Sequence, residues 1–434
     1  MHITTVTVIG VTGTMGANIA GIFAAFGNAK VYCVGRDIEK VKKTIPKIVL
    51  SVKADSIESK LTVADFSDLE KCVAESDLIF ESSAENIGVK KMIASRVGAS
   101  MKSTAVSCTG TSGLSINDIA RAYPERTRSR FFGVHMFNPP YSMSLCEFSV
   151  SEYSDPAIAQ ELNDYLAGTL YRTVVAVKDS PAFLGNRIGF QFINEAIRYA
   201  EKYKDNGGVD YIDAIIGPFT GRVMAPILTS DFVGLDVHKA IVDNIYENTN
   251  DYQHDSFILP QYVEELILKN KLGRKSGCGI YQLIKCEGGS GRRMVYDIAT
   301  GLYRDQIPYA FPFVDAMKKH LSDGEYEKAM NDVIANHSQE AVICLEFLLK
   351  YIVYSLYSAD EVCGSFRAAD DVMATGFNWC PPLAFIKVIS KVSDIKKLLQ
   401  ERLPEICKSV NVEELIDSAP VSEYDYRPFF KSGR

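Results

Sequence analysis

The chain has 434 residues, which is too many for a single hydrophobic core, so more than one domain is expected. Hydrophobic residues make up 47% and charged residues 23% of the chain, as in ordinary folded soluble proteins. The formal net charge is −7 and no block of lysine or arginine stands out, which argues against a nucleic-acid partner.

The cysteines and the apolar stretches argue against a metal site and a membrane span. Ten cysteines are scattered without the Cys-x-x-Cys or Cys/His spacing of a zinc site. We therefore expect reduced thiols, no metal and a cytoplasmic protein, and the N-terminus lacks a signal-peptide pattern. The most apolar stretch, residues 341–357, contains Glu346 and Lys350, so it predicts a buried helix.

Short β-rich runs alternate with helical patterns from residue 1 to about residue 178. The runs that we predict as strands are residues 5–9, 30–34, 77–81, 104–108 and 131–134. This alternation predicts a doubly wound, mostly parallel α/β sheet.

A glycine-rich turn joins the first predicted strand to the following helix, in the segment VTVIGVTGTMGANIA. Glycines let the backbone approach a pyrophosphate, and the N-terminus of a helix offers free N–H groups to it. The segment therefore predicts a Rossmann-type dinucleotide site, formed by Gly10, Gly13, Thr14, Met15 and Gly16. The spacing is one residue longer than the usual Gly-x-Gly-x-x-Gly, so the geometry of the turn is expected to differ.

The end of the second predicted strand bears on the choice of cofactor. An NAD enzyme usually has an acidic residue there, which accepts hydrogen bonds from the ribose 2′-hydroxyl. In this chain Gly35 takes that place and Arg36 follows it. A guanidinium suits a 2′-phosphate, so NAD and NADP both remain open, with NADP slightly favoured. The alternative is that Arg36 faces solvent and Asp37 reaches the ribose.

His135 is one of six histidines and lies at the end of a predicted strand, in FFGVHMFNPPYSMSLCEF. Glu147 follows on what looks like the next strand, and a strand–turn–strand path brings the two residues side by side. Histidine takes a proton from an alcohol near neutral pH, and a carboxylate behind it fixes its tautomer. A structural histidine is the alternative, which the neighbouring dinucleotide turn disfavours.

Amphipathic helical patterns replace the strand signals from residue 180 onward, beginning with a long helix near Pro181. The Gly-rich segment 285–293 predicts a loop or linker, and the chain after it is helical again. Residues 212–226 and 368–382 share an Asp, a Gly-aromatic patch and a Pro in the same order. We predict that the last part of the chain repeats the middle part, with two unrelated helical segments as the alternative.

Several motifs, taken in order along the chain, resemble the 3-hydroxyacyl-CoA dehydrogenase family. They are ESSAENIGVKK (81–91), TSGLSINDIA (111–120), GVHMFNPP with Cys146-Glu147, DSPAFLGNRI with NEA (179–196), SDFVGLD (230–236) and GRKSGCGIY (273–281). The resemblance covers about residues 1–283. It implies a Rossmann-type NAD(P)-binding domain at 1–178, followed by an all-α C-terminal domain at 179–285. Together with the predicted repeat, it leads us to expect a second, degenerate helical domain of the same type at 286–434.

The resemblance implies an oxidoreductase of fatty acid metabolism that transfers a hydride between a nicotinamide cofactor and a 3-hydroxyacyl-CoA. His135 would take the 3-hydroxyl proton, while Glu147 would orient and stabilise His135. Ser112 would hydrogen-bond the substrate oxygen, and Asn186 would hold the reacting group or the nicotinamide carboxamide. The alternatives are that Ser112 only shapes its turn and that Asn186 only packs the helix junction.

The resemblance also implies that Glu85 and Lys90 contact the cofactor. The chain departs from the family pattern in its longer glycine turn, in the missing acid of the second strand, and in a stretch 37–61 that is shorter than the helical hairpin that helps to hold CoA. Three alternatives therefore stay open. They are a dehydrogenase of a free 3-hydroxy acid, of the gulonate or carnitine kind; an enzyme acting on a carrier-bound acyl group; and a non-catalytic dinucleotide-binding sensor.

The assembly is a further expectation from the resemblance, since short members of the family pair through their helical domains. The helix at 341–357 is too apolar to stand in water alone, and the first helical domain is its most economical partner. We therefore expect a monomer with an intrachain pseudo-dimer, with a weak homodimer as the alternative.

Overall fold

The computed structural model describes residues 1–285 and 291–430. The chain divides into two compact units. The first unit consists of Met1–Phe183 together with Thr375–Phe377, and the second contains the other described residues from Leu184 onward.

The first unit is built on an eight-stranded sheet in the order β3-β2-β1-β4-β5-β6-β7-β8. Its strands are β1 (Thr5–Ile9), β2 (Lys30–Gly35), β3 (Leu61–Asp65), β4 (Leu78–Glu81), β5 (Val106–Thr109), β6 (Phe131–Met136), β7 (Leu145–Val150) and β8 (Thr173–Val177). Neighbouring strands pair in parallel except β6 and β7, which are antiparallel. The predicted doubly wound, mostly parallel sheet is therefore confirmed.

The five predicted strands all form, with small shifts at their ends, and Glu147 lies on the expected next strand, β7. The prediction missed β3 and β8, which are the two edge strands of the sheet. Both are only partly buried, with one fully buried residue in β3 and two in β8, so they lack the continuous buried run of a central strand. Edge position thus explains why the sequence signal was weak there.

Helices fill the connections of the first unit. They are α1 (Thr14–Ala25), α2 (Ile38–Val52), α3 (Leu69–Glu75), α4 (Ile87–Ser100), α5 (Ile116–Ala120), α6 (Glu125–Arg128) and α7 (Pro156–Gly168). The core lies against the central strands, where Val6 and Val8 are fully buried and the Phe23 ring of α1 lies 5.9 Å from the Phe80 ring of β4. This packed centre fixes the loops at the ends of the strands.

The second unit is mainly helical. Its helices are α8 (Gly185–Lys202), α9 (Val209–Ile215), α10 (Pro226–Val233), α11 (Leu235–Asn248), α12 (Gln261–Leu268), α13 (Pro312–Ser322), α14 (Tyr326–Ile334), α15 (Gln339–Cys363), α16 (Arg367–Val372), α17 (Pro382–Ile389), α18 (Ile395–Arg402), α19 (Pro404–Ser409) and α20 (Val412–Ser418). By length and composition α15 would be able to cross a membrane, but 78% of its most apolar window is buried inside the protein. The predicted buried helix is therefore confirmed.

A small antiparallel sheet interrupts the helices of the second unit and corrects the expectation of an all-α region there. Its strands are β9 (Tyr281–Lys285), β10 (Gly291–Asp297) and β11 (Leu302–Asp305), in the order β11-β10-β9. The predicted linker is wrong for residues 291–293, because Arg292 and Arg293 pair with Ile284 and Leu283 across the ladder; its residues 286–290 lie outside the described residues. The predicted domain boundary after residue 285 therefore falls between two paired strands.

The two stretches proposed as a repeat adopt a similar local arrangement. The buried carboxylate of Asp213 accepts a hydrogen bond from the N–H of Ile227 at 2.9 Å, at the start of α10. Likewise the buried carboxylate of Asp370 accepts one from the N–H of Leu383 at 2.8 Å, at the start of α17. Burial raises the pKa of each carboxyl group to about 7. This likeness supports the proposed repeat.

The first and second helical portions pack against each other within the second unit. Rings of Phe192 on α8 and Phe347 on α15 lie 5.4 Å apart, edge to face. The buried guanidinium of Arg187 on α8 contacts Glu361 on α15 at 2.8 Å and Asp251 at 2.7 Å. Helix α15 thus packs on α8 of the same chain, as expected for an intrachain pseudo-dimer. The oligomeric state stays a prediction.

Candidate functional site

The glycine-rich turn after β1 is closed by two close backbone contacts. Gly10 has φ +89°, and a Cβ at this residue would lie 2.2 Å from the carbonyl oxygen of Ser82. A Cβ at Gly16 would lie 2.3 Å from the carbonyl oxygen of Gly10. Any side chain at these two positions would collide with backbone, so both must be glycine. The longer spacing therefore still forms a compact turn in which the third glycine packs on the first.

Gly13 differs from the other two glycines because it faces open space. A Cβ there would meet only the carbonyl oxygen of Gly10, at 3.5 Å. Gly13 is the N-cap of α1, no side chain caps this helix, and its first turn has no acidic residue. The first N–H groups of α1, at Thr14 and Met15, thus lie at an uncapped helix N-terminus. Such an end attracts an anionic pyrophosphate.

The turn lies at the point where the strand order of the sheet reverses. Strand β1 pairs with β2 on one side and with β4 on the other, so the chain winds outward in both directions from it. In open α/β sheets the crevice at such a switch point, outside the carboxyl ends of the strands, is where ligands bind. The carboxyl end of β4 is Glu81, so this carboxylate lies at the same edge as the glycine turn.

A buried ion pair supports this edge of the sheet. The Lys90 side chain is 1% exposed, and its Nζ lies 3.0 Å from Oε2 of Glu81 and 3.4 Å from Oε2 of Glu85. Burial acts to raise the pKa of Glu81, but the Lys90 charge and hydrogen bonds from Ser83 and Thr109 outweigh it and hold that pKa below its ordinary value. Lys90, expected at the cofactor, thus has its charge directed at two carboxylates.

Glu85 joins two of the motifs that sequence analysis singled out. Its carboxylate is partly exposed, and its Oε1 accepts hydrogen bonds from the N–H of Ser112 at 2.7 Å and from the Thr111 hydroxyl at 2.5 Å. The structure therefore brings Glu85, Lys90 and Ser112 together. Glu81 was not among the predicted site residues, although an acidic residue at the end of a fully buried strand is itself a signal.

His135 and Glu147 are direct neighbours in the sheet. They are register partners in the antiparallel pair β6–β7, and His135 Nδ1 lies 2.7 Å from Oε2 of Glu147. The two side chains are 8% and 0% exposed. A proton on Nδ1 directed at the carboxylate leaves the Nε2 lone pair as the basic position of the ring; this tautomer is inferred from the hydrogen bond. The predicted side-by-side placement is present in the structure.

Two aromatic rings lie beside the imidazole of His135. The centroid of the Phe137 ring lies 4.5 Å from that of the imidazole, and the Phe183 ring lies at 5.9 Å. Ala182 and Phe183 adopt φ values of +59° and +52°, which are unusual for residues with side chains. Strained backbone of this kind persists where the surrounding structure enforces it, often at functional sites.

The strained segment also holds the loop that carries Ser112. A Cβ at Gly113 would lie 2.3 Å from the backbone N of Ala182, so the two segments touch. The carboxylate of Asp179 accepts hydrogen bonds from the N–H groups of Ile116 and Asn117, at the start of α5. The two motifs TSGLSINDIA and DSPAF therefore pack directly against each other. Ser112 lies on the first segment, and the second leads to Phe183, whose ring is beside His135.

Arg36 and Asp37 directly follow Gly35, the last residue of β2. Asp37 is the N-cap of α2, and its Oδ1 accepts hydrogen bonds from the N–H groups of Glu39 and Lys40 at 3.0 and 3.2 Å. This role disfavours the alternative in which Asp37 reaches the ribose. Arg36 is exposed, and Gly35 before it is buried.

Asn186 lies in the first turn of α8, in the second unit, and is 6% exposed. Its neighbour Arg187 is fixed by Asp251 and Glu361. The role of Asn186 stays a prediction. Among the residues that the structure describes, no group of three or more His, Cys, Asp or Glu side chains is arranged to hold a metal ion.

Two family models match the chain: the NAD binding domain of 3-hydroxyacyl-CoA dehydrogenase over residues 5–180 and its C-terminal domain over residues 183–283. A probable 3-hydroxyacyl-CoA dehydrogenase of Caenorhabditis elegans is 31% identical over 298 residues, which are 65% of this chain and 97% of the relative. A probable 3-hydroxyacyl-CoA dehydrogenase of Bacillus subtilis is 28% identical over 79% of this chain, which spans only 42% of that longer relative.

Solved structures show the same fold. The crystal structure of 3-hydroxybutyryl-CoA dehydrogenase from Escherichia coli matches with a TM-score of 0.68 at 20% identity, over 92% of this chain and 95% of that one. At this identity the likeness concerns the fold alone, but it extends well beyond the two matched domains. The first unit is thus the NAD-binding domain of a dehydrogenase, and the chain belongs to the 3-hydroxyacyl-CoA dehydrogenase family.

Proposed function

We propose that this chain interconverts 3-hydroxyacyl-CoA and 3-oxoacyl-CoA in the cytoplasm, with His135 as the base. The observation that carries this proposal is the buried His135–Glu147 pair in a unit whose glycine turn matches an NAD-binding domain. When a nicotinamide dinucleotide is bound, it supplies the hydride acceptor for the oxidation. The residues that would hold it are at the turn Gly10–Gly16 and at Glu85.

The proton chemistry falls to the His135–Glu147 pair. In the oxidation, Nε2 of His135 accepts the proton of the 3-hydroxyl group as the C3–H bond gives up its hydride. The imidazolium that results keeps its Nδ1–H on the Glu147 carboxylate, whose charge stabilises it. In the reverse direction Nε2–H returns the proton to the 3-oxo oxygen. Ser112 and Asn186 are proposed to hold that oxygen and the reacting group.

Activity with thioesters and free acids tests the substrate class. We expect the protein to oxidise NADH or NADPH in the presence of acetoacetyl-CoA, with little turnover of dehydrocarnitine or of 3-dehydro sugar acids. A clear preference for a free acid would contradict the CoA assignment and leave the hydride chemistry intact. Absence of turnover with every substrate, together with tight dinucleotide binding, would instead favour a sensor.

We further propose that NADP is the preferred dinucleotide. Two observations support it: the buried position before Arg36 is a glycine and not an acid, and the carboxylate of Asp37 caps α2. An exposed guanidinium at the end of β2 suits a 2′-phosphate. Fluorescence titration with NADH and NADPH measures the preference, and tighter binding of NADH would overturn it.

We also propose that the protein is a monomer in which α15 covers α8. The contacts of Phe192 with Phe347 and of Arg187 with Glu361 support it, because they join the two helical portions within one chain. Light scattering at micromolar concentration should give the mass of one chain, 48.0 kDa. A mass of twice that value would contradict the proposal.

A further inference from the structure

A short segment from far along the chain belongs to the first unit. Thr375–Phe377 lie within a π-helical turn, Met373–Phe377, which ends at Asn378 with φ +53°. Single π-helical turns are rare and are often found at functional sites. A Cβ at Gly376 would lie 2.4 Å from Cδ2 of Leu145, so this turn is seated closely on the first residue of β7, the strand that carries Glu147.

Phe377 extends the aromatic surroundings of His135. Its ring centroid lies 5.7 Å from that of Phe137, which in turn lies 4.5 Å from that of the imidazole. Phe183 lies 5.9 Å from the imidazole as the second ring in contact with it. Phe137 and Phe183 are buried, whereas Phe377 is only partly buried. The series of three rings therefore runs from the proposed base to a ring that a ligand can reach.

This arrangement has the polarity that a 3-oxoacyl chain requires. The reacting oxygen needs a polar partner, which Nε2 of His135 provides, while the carbons beyond C3 are apolar and gain from an apolar wall. Phe377 lies outside both matched family domains, which end at residues 180 and 283, so nothing in them assigns a role to it.

We propose that Phe377 is a specificity-determining residue, whose ring contacts the acyl carbons beyond C3 and favours longer 3-oxoacyl chains. This inference rests on the proposed function. Because Phe377 packs on Phe137, whose ring is the one 4.5 Å from the imidazole, removal of Phe377 should change the selectivity for chain length more than it changes the proton transfer.

The test compares Phe377→Ala and Phe377→Leu with the wild type, using acetoacetyl-CoA and 3-oxodecanoyl-CoA as substrates. We expect Phe377→Ala to lower the ratio of kcat/KM for the long to the short substrate by about tenfold, since lost apolar contacts discriminate at this scale. Phe377→Leu should retain most of the ratio. Phe232→Ala is the matched control, because Phe232 is an exposed phenylalanine (51%) on α10.

Each outcome bears on the proposal. Dinucleotide affinity, measured by fluorescence titration, should be unchanged in both variants and shows that the fold is intact. If Phe377→Ala leaves the ratio of kcat/KM for the long to the short substrate unchanged, the proposal is overturned. A raised ratio would also overturn it, because Phe377 would then restrict the length of the acyl chain. If Phe377→Ala fails to fold, Phe377→Val takes its place: a ratio lowered several-fold supports the proposal, and a ratio equal to that of the Phe232→Ala protein overturns it. Wild-type inactivity with every acyl-CoA would overturn the proposed function and this inference together.

Discussion

The protein contains two histidine–carboxylate pairs that look alike when taken alone. His135 and Glu147 are twelve residues apart, and so are His320 and Asp332. In both pairs Nδ1 faces the carboxylate, at 2.7 Å in the first and 2.6 Å in the second.

The surroundings of the two pairs differ. His135 and Glu147 lie on adjacent strands and are 8% and 0% exposed, next to phenylalanine rings. His320 and Asp332 lie on the helices α13 and α14 and are 26% and 19% exposed. The Nε2 of His320 also has Glu325 at 3.8 Å, a second carboxylate on the side where a base would act. A histidine–carboxylate pair therefore does not by itself mark an active site, and the proposal for His135 rests also on the dinucleotide turn and on the burial and neighbouring rings of this pair.

The largest expected difference between the two regions is in turnover. His135→Gln should lower kcat by roughly 10²–10⁴-fold, because the 3-oxo oxygen loses its proton donor in the reduction of acetoacetyl-CoA. His320→Gln is the matched control and should keep wild-type kcat. Steady-state rates with acetoacetyl-CoA measure both, and dinucleotide titration checks that each variant is folded. Equal losses in the two variants would contradict the distinction.

The carboxylate partners extend the comparison. Glu147→Gln should lower kcat by on the order of 10–100-fold, since the tautomer of His135 is no longer fixed and its imidazolium loses a counter-charge. Asp332→Asn, which alters the surface pair in the same way, should leave kcat unchanged. Full activity of Glu147→Gln would mean that Glu147 only packs the sheet.

The third difference is the dinucleotide site of the first unit. Arg36, which follows the end of β2, tests the selectivity of this site between NADP and NAD. A charge-assisted hydrogen bond contributes about 1.5–3 kcal/mol, so Arg36→Ala should weaken NADPH binding by about tenfold or more and NADH binding little. Arg274→Ala, at another exposed arginine, is the control. Equal losses for both dinucleotides would show that Arg36 does not select between them.

A third histidine, His238, differs from both pairs and is expected to affect the pH dependence of the stability of the protein. His238 is fully buried and faces an amide instead of a carboxylate, with Nε2 3.0 Å from Oδ1 of Asn194. Burial lowers the pKa of His238 to about 3 in the folded protein, from an ordinary value near 6.5.

The sign of the resulting pH dependence follows from that depressed pKa. Above pH 6.5 His238 is neutral in both states, and below it only the unfolded chain takes up the proton. The free energy of unfolding should therefore fall as pH drops from 6.5 toward 3, by about 1.4 kcal/mol per pH unit from this residue. Urea unfolding at pH 7 and pH 5 should show a difference that is about 2 kcal/mol smaller in His238→Gln. An identical difference in the two proteins would rule out His238 as its source.

The sequence predicted those features that local pattern determines. Central strands such as β1 have continuous apolar runs. The glycines of the turn indicate directly where the backbone has a positive φ or a close contact. The register of His135 with Glu147 followed from a short strand–turn–strand path. Motif order then identified the family, which the matched domains confirm.

Features that depend on distant contacts were beyond the sequence patterns. The glycine-rich composition of 285–293 predicts a linker, because nothing in the local sequence indicates that Arg292 pairs with Ile284. The direction of the Lys90 charge toward Glu81 depends on how α4 packs on the sheet. The placement of Phe377 beside Phe137 joins residues 240 positions apart, and no periodicity reports such a contact.

Gly35 at the end of β2 limits how this protein can change over evolutionary time. An acidic residue there is the usual route to NAD selectivity, but a Cβ at Gly35 would lie 2.5 Å from Cγ2 of Val41 and 3.1 Å from Cγ2 of Thr12. Val41 is β-branched and fully buried, so it cannot turn aside. A lineage would first have to replace Val41 by a smaller residue and accept a less stable intermediate. An acidic residue at position 35 is therefore not within reach of a single substitution in this protein.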